Sequence, residues 1–252
     1  MFTSNPFAEL AAFLPPLAMQ AYIVLMVFAV AAGTLFDMLH KSSARFFVRQ
    51  WKKSNAAATR RVGTVEAASL AVRTVLKEVA TSGEFRNPKR RLSHLLLFYG
   101  FVTYLVTTVV MVFGYPSPVT PTPAVWPVLW NLGALMVLVG GGWFFFFLRV
   151  NVAKEGHSPF HVMRADLFIL SLLTSVVFAL VWEIVQAVGN LAATQVAFGL
   201  YILFTTLLFV SVPWSKFAHM FYKPAAAFQK RMEEANGSSN LPRPADVNNI
   251  VR

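Results

Sequence analysis

Between Leu95 and Leu148 the chain contains no Asp, Glu, Lys or Arg, and between Leu167 and Ser215 its only charged residue is Glu183. Each block is long enough for two passes of about 20 residues through a bilayer, with a turn between them. In hydrocarbon the backbone must satisfy its own hydrogen bonds, so the blocks read as membrane-spanning helices. Composition agrees: 56% of the 252 residues are apolar, 24 are Phe, and only 13% are charged, against roughly 25% for a soluble globular chain.

Five segments read as spans, at about 17–38, 94–114, 124–149, 166–188 and 193–215, the last running on helically to about 222. Tyr115-Pro116-Ser117-Pro118 through Pro123 divides the second apolar block, because no helix carries through that run of prolines. Gly189-Asn190 divides the third. The expected fold is all-α, a polytopic bundle of five transmembrane helices. Residues 1–16 form an external N-terminal segment, 17–222 the membrane domain and 223–252 a C-terminal tail. Met1 is followed by no basic n-region, so the first apolar segment reads as a retained helix and not a cleaved leader.

Lys and Arg set the orientation. Of the 22, thirteen lie in the loop 40–93, three lie between spans three and four (Arg149, Lys154, Arg164), and six follow span five (Lys216, Lys223, Lys230, Arg231, Arg243, Arg252). None remains for the opposite side. The excess of basic residues on cytoplasmic loops then puts the N-terminus outside and the C-terminus inside, in a bacterial or archaeal cytoplasmic membrane. In the loop, positions 68, 71, 72, 75, 76 and 79 are apolar at helical spacing, with Glu66, Arg73 and Lys77 elsewhere on the wheel. That segment reads as a helix lying on the membrane surface or packing on a partner. After Glu234 the composition, with Asn-Gly-Ser-Ser-Asn, Pro242 and Pro244, reads as unpacked.

The chain has no cysteine. That removes iron–sulfur clusters, c-type haem attachment, thiolate metal sites and disulfides together. A redox centre would have to be held by His or Met, or be a diffusible quinone. Of the five histidines, His94 opens span two just after Arg90-Arg91, and His219 closes span five between Lys216 and Lys223. On antiparallel helices the two arrive at the same depth near the basic face. Two readings stand on these residues alone. Both are ordinary interfacial histidines, or they are a bis-imidazole haem pair, with Arg91, Lys216 and Lys223 supplying positive charge to the propionates.

His157 and His161 stand four apart in a short loop, but Pro159 between them argues against a regular helix, so they read as solvated or partner-facing. His40 with Asp37 marks the end of the first span. Glu183, an intramembrane carboxylate, either snorkels to the outer surface or serves in quinone protonation. Gly140-Gly141-Gly142 reads as a site of close helix approach.

From Arg91-Leu92-Ser93-His94 through Gly100-Phe101-Val102-Thr103-Tyr104, from Arg164-Ala165-Asp166 into Leu167-Phe168-Ile169-Leu170, and from Tyr201 through Pro213-Trp214-Ser215-Lys216-Phe217-Ala218-His219-Met220-Phe221, the chain resembles the five-helix cytochrome b superfamily. That superfamily includes the gamma subunit of respiratory nitrate reductase and the heterodisulfide-reductase-like and quinone-interacting membrane subunits. The resemblance covers spans two to five. Dihaem members carry two histidines ten apart on helix 2 and two eighteen apart on helix 5. Here His94 and His219 occupy one position of each pair, while Tyr104 and Tyr201 stand at the other two. The resemblance therefore implies one b-type haem held by His94 and His219. It makes Tyr104 and Tyr201 vacated second-haem positions, available as quinone contacts or as packing rings.

By the same resemblance the chain is expected to be a membrane anchor and quinone-linked electron-transport subunit of an oxidoreductase, with no substrate-converting site of its own. Its expected partners are cytoplasmic iron–sulfur and flavoprotein subunits, quinone and membrane lipid, and not nucleic acid. Its compact length and lack of a cluster domain are most similar to the membrane anchor associated with adenylylsulfate reductase, which would place it in sulfur metabolism. The alternative is a haem-free structural anchor for a soluble redox partner. A small transporter fits poorly, because paired polar residues at the midplane of broken helices are not evident.

Overall fold

The computed structural model describes residues 2–40, 43–83, 85, 87–163, 166–211 and 219–239. Among them the chain is all helix and turn: α1 (Pro16–His40), α2 (Ser43–Ala56), α3 (Thr64–Thr74), α4 (Pro88–Gly114), α5 (Val125–Trp143), α6 (Leu167–Val188), α7 (Leu191–Val210) and α8 (His219–Asn236). Single π-helical turns extend α3 through Ala80 and α5 through Leu148. Helices α1, α4, α5, α6 and α7 are each long and apolar enough to cross a bilayer, so the protein is a multi-pass membrane protein. The chain forms two compact units, one of residues 1–38 and 82–219, the other of residues 39–81 and 220–252.

Local chemistry sets the helix ends. Helix α4 begins six residues before the expected 94, because the Asn87 side chain accepts from Lys89 N–H and Arg90 N–H and Pro88 occupies the first turn, where a missing N–H costs nothing. Gly189, at φ +81°, closes α6, with its N–H bonded to Gln186 O. Asn190 then caps α7 by accepting from Ala193 N–H, so two residues make the whole turn. The fifth span corrects the sequence expectation. Helix α7 ends at Val210, not near 222, and Ser211 N–H closes its last turn on Leu207 O. Pro213 accounts for the stop, since it has no N–H to donate and restricts the residue before it away from helix.

In the first unit α4 and α5 pack most closely, and glycines allow it. A Cβ on Gly133 would stand 2.8 Å from Tyr104 N and 2.9 Å from Gly100 O, and one on Gly140 would stand 2.7 Å from Leu97 N. Where the backbones meet, Ser93 Oγ donates to Gly140 O at 2.8 Å across the two helices. Small residues and a crossing hydroxyl are the contacts that hold helices together where lipid removes the hydrophobic drive. Helices α6 and α7 join through Ser175 Oγ and Thr205 Oγ1 at 2.7 Å and stacked rings of Phe178 and Phe204. The first span is mostly exposed and is tied by Gln20 to Val112 O and by the Tyr22 hydroxyl to Ile202 O and Thr206 Oγ1.

The segment before α1 is not a loose external arm. Asn5 caps a single helical turn, Pro6–Glu9, and donates to Tyr115 O and Thr122 Oγ1. Phe7 and Leu10 are buried.

In the second unit α8 packs on the loop segment. Trp51 stacks between Phe47 and Phe228, and the N–H groups of Thr59 and Arg60 both bond Asn236 O. The tail expected to be unpacked after Glu234 is therefore anchored at Asn236, which is buried; residues 240–252 lie outside the described residues. The helix expected at 65–79 is present as α3 and its π turn, with Val65, Val72, Val75 and Leu76 exposed.

Gly133→Ala should drive α4 and α5 apart and destabilise the bundle by about 1–3 kcal/mol, read as a lower unfolding temperature in detergent. Gly199→Ala, where nothing lies within 4 Å of an added Cβ, should be neutral or gain up to about 1 kcal/mol.

Candidate functional site

Of the residues singled out for haem, Arg91 and His94 lie in the first two turns of α4. The His94 ring is half-buried, with Nδ1 2.9 Å from Ser82 Oγ. Phe85 lies against it at 4.9 Å and Phe98 stacks at 6.4 Å. Ser82 is 1% exposed and has φ +49°, a left-handed conformation rarely taken by residues other than glycine. A hydrogen bond on one ring nitrogen fixes the tautomer and orientation of an imidazole, as a histidine that ligates a metal through the other nitrogen requires. His94 thus has the ring support that a metal-ligating imidazole would need.

The other half of the expected pair is described only in part. Tyr201 lies on α7, which ends at Val210, the described part of α8 starts at His219, and residues 212–218 lie outside the described residues. The His219 side chain and all of Lys216 lie outside the described residues. Arg91 and Lys223 are exposed.

Farther along the same bundle Tyr104 and Tyr201 are brought into one aromatic core. Tyr104 stacks on Trp130 at 5.1 Å and Tyr201 on Trp182 at 5.7 Å, and the two indoles meet edge to face at 6.5 Å. Phe7 touches both indoles and Phe198 packs on Trp182. Trp130 and Trp182 are fully buried, and Tyr104 and Tyr201 nearly so. Tyr104 and Tyr201 are buried in a filled aromatic core, each stacked on an indole, and residues packed this closely do not fit a second haem.

Glu183 does not snorkel. It is 3% exposed and turns inward from α6, where Asn131 Nδ2 donates to its Oε1 at 3.0 Å. The same nitrogen donates to Pro127 O at 3.1 Å. Beside it Trp182 Nε1 donates to Gln186 Oε1, and Gln186 Nε2 donates to Pro6 O and to Glu9 Oε2. Sequence reasoning missed Asn131, Trp130 and Trp182. The available signal was helical spacing: a residue four along from Pro127 and the direct neighbour of Glu183 are fixed once the faces of α5 and α6 are known.

A second unforeseen feature lies where α5 gives way to the loop before α6. Arg149 is buried, with its guanidinium over the Phe145 ring at 3.9 Å. It donates to Phe145 O, His161 O, Pro159 O and Asp166 Oδ2, the last at 2.6 Å. Asp166 also accepts from Met163 N–H. This clamp folds the loop so that the exposed His157 and His161 rings stack at 5.1 Å, with Glu155 3.8 Å from His157. Among the described residues no group of three His, Asp or Glu is arranged to hold a metal.

No protein-family model matches the chain, and no curated protein or solved structure shows significant similarity to it.

Asp166→Ala should leave the Arg149 charge buried without its counter-ion and cost about 3–5 kcal/mol. The measurement is thermal unfolding in detergent. A change at Glu155, which is exposed, should leave stability within about 0.5 kcal/mol.

Proposed function

We propose that this chain is the membrane anchor and quinone-linked electron-transfer subunit of a cytoplasmic oxidoreductase. Its N-terminus lies outside, its C-terminus lies in the cytoplasm, and it binds one b-type haem. His94 and His219 would hold the haem iron, and Arg91, Lys216 and Lys223 would supply positive charge to its propionates. The haem supplies one-electron transfer between a soluble partner and quinone. The protein's own residues hold the imidazoles, exclude water and provide positive charge. The observation that carries this reading is the support of His94: Nδ1 bonded to a buried Ser82 in a left-handed conformation and the ring held between Phe85 and Phe98. A surface histidine with no task needs neither.

The partner is an iron–sulfur or flavoprotein enzyme, with adenylylsulfate reductase the candidate that the sequence resemblance favours. Thirteen Lys and Arg in the segment 40–93, against Glu66, Glu78 and Glu84, favour an acidic partner surface and anionic lipid headgroups. With Tyr104 and Tyr201 buried in a filled aromatic core, electron transfer stays in the cytoplasmic half of the bilayer.

A second reading, a haem-free anchor, is favoured by the end of α7 at Val210, which removes His219 from the helix on which the dihaem pattern would place it. An absorption spectrum of the purified, reduced protein separates the two. The expected result is a b-type α band that is lost in His94→Ala and in His219→Ala and retained when His40, His157 or His161 is replaced. A purified protein without haem leaves the structural anchor. For topology, a reporter active only in the cytoplasm should work after Arg252, and one active only outside should work at Ser117; the reverse pattern overturns the assigned orientation.

A further inference from the structure

The bundle end that carries Tyr104, Tyr201 and Glu183 is built from residues 1–38, 95–148 and 167–211, and these segments contain no Lys, Arg or His. A carboxylate buried there has no cationic side chain to pair with. Glu183 nevertheless lies 3% exposed, and Asn131, its partner, 6% exposed.

The hydrogen bonds between them are incomplete in one particular way. Asn131 Nδ2 donates to Glu183 Oε1 and to Pro127 O, so both amide hydrogens are used. The amide cannot be turned over, because its oxygen would then face the Pro127 carbonyl. The two remaining oxygens of the pair, Asn131 Oδ1 and Glu183 Oε2, are both buried, and among the described residues neither has a partner. Both are acceptors when the carboxylate is ionised, so they cannot bond one another, and an unpaired buried acceptor is costly. One proton on Oε2 turns it into a donor. A carboxylic acid and a primary amide can pair through two bonds, N–H to Oε1 and O–H to Oδ1, and that pairing would satisfy both orphaned atoms at once.

We infer that Asn131 and Glu183 form an intramembrane proton-binding site, in which Glu183 holds one exchangeable proton as a neutral carboxylic acid bonded to the Asn131 amide. The reaction is a single protonation: an O–H bond forms on Oε2, the carboxylate charge is lost, and the proton comes from water. Glu183 stands five residues from the end of α6 and Asn131 six from the start of α5, about 8–9 Å along each helix at 1.5 Å per residue. The site is therefore closer to the aqueous face with the α6–α7 turn than to the His94 end. The titratable groups around it are Glu9 of the N-terminal turn, reached through Gln186, the chain's amino terminus, and the phenols of Tyr104 on α4 and Tyr201 on α7. The inference does not depend on haem or quinone.

The test is infrared spectroscopy of the full chain reconstituted in liposomes at neutral pH. Subtracting the Glu183→Gln spectrum from the unaltered one should reveal the C=O stretch of one protonated carboxyl, shifted in heavy water. In Asn131→Leu that band should move to higher frequency, as the acid loses its amide partner. Loss of carboxylate bands in Glu183→Gln, with no protonated-acid band, would overturn the proposal, as would an unmoved band in Asn131→Leu. Glu183→Gln keeps the size and the Asn131 contact, and should fold. If it does not, dicyclohexylcarbodiimide on the unaltered protein decides. That apolar reagent attacks protonated carboxyls, and peptide mass spectrometry should place the adduct on Glu183; adducts on other acids alone would count against the site.

Discussion

Backbone contact between α4 and α5 at Gly100, Gly133 and Gly140 is the constraint from which most of the bundle follows. In lipid, apolar side chains gain little by leaving one apolar surface for another, so helices associate where their backbones can come close and exchange polar contacts. Here the approach lets Ser93 reach the Gly140 carbonyl and seats Gly133 against the backbone of Tyr104. The rotation of α5 is thereby set. Trp130, one turn from Gly133, is laid on the Tyr104 ring, and Asn131 is turned to Glu183 on α6. The aromatic core and the polar pair both result from where three glycines fall.

The two ends of that bundle solve the problem of buried polarity in opposite ways. At the α5–α6 loop a buried Arg149 has a carboxylate, three carbonyls and an aromatic face. Such a charge is tolerated because its donors are satisfied. At the other end a buried carboxyl has one amide for company and no Lys, Arg or His side chain within its segments. Satisfied networks hold a shape, whereas unsatisfied ones mark chemistry that needs another participant. The Arg149 clamp is of the first kind and the Glu183 site of the second.

The relation of these sites to electron transfer rests on His94 and the break after α7. The proposed single haem near the basic face and the proposed protonated carboxyl near the opposite face lie at different depths of one bundle. Between them stand the stacked rings of Tyr104, Trp130, Trp182 and Tyr201. Two of these rings occupy the positions at which the dihaem pattern carries its second pair of ligands. Bulky aromatic residues close this core, and Trp130 and Trp182 show no solvent exposure.

The five spans, their turns and the one-sided distribution of Lys and Arg were legible from the chain itself, because hydropathy, proline and charge act locally and the bilayer imposes a fixed length. The start of α4 at Pro88 was missed because a capping Asn87 carries the helix beyond its apolar part, and the stop at Val210 was missed because the uncharged stretch runs on past it to Ser215. Packing was not legible. Whether Glu183 faced lipid, water or a neighbour depended on the rotation of α5 and α6, which a weakly amphipathic span surrounded by hydrocarbon does not encode in its own periodicity. The Ser82 to His94 bond, the Arg149 to Asp166 clamp and the Asn131 to Glu183 pair join residues 12, 17 and 52 positions apart. Only the tertiary structure decides such pairs, because the free energy that selects them lies in helix contacts that no single segment contains.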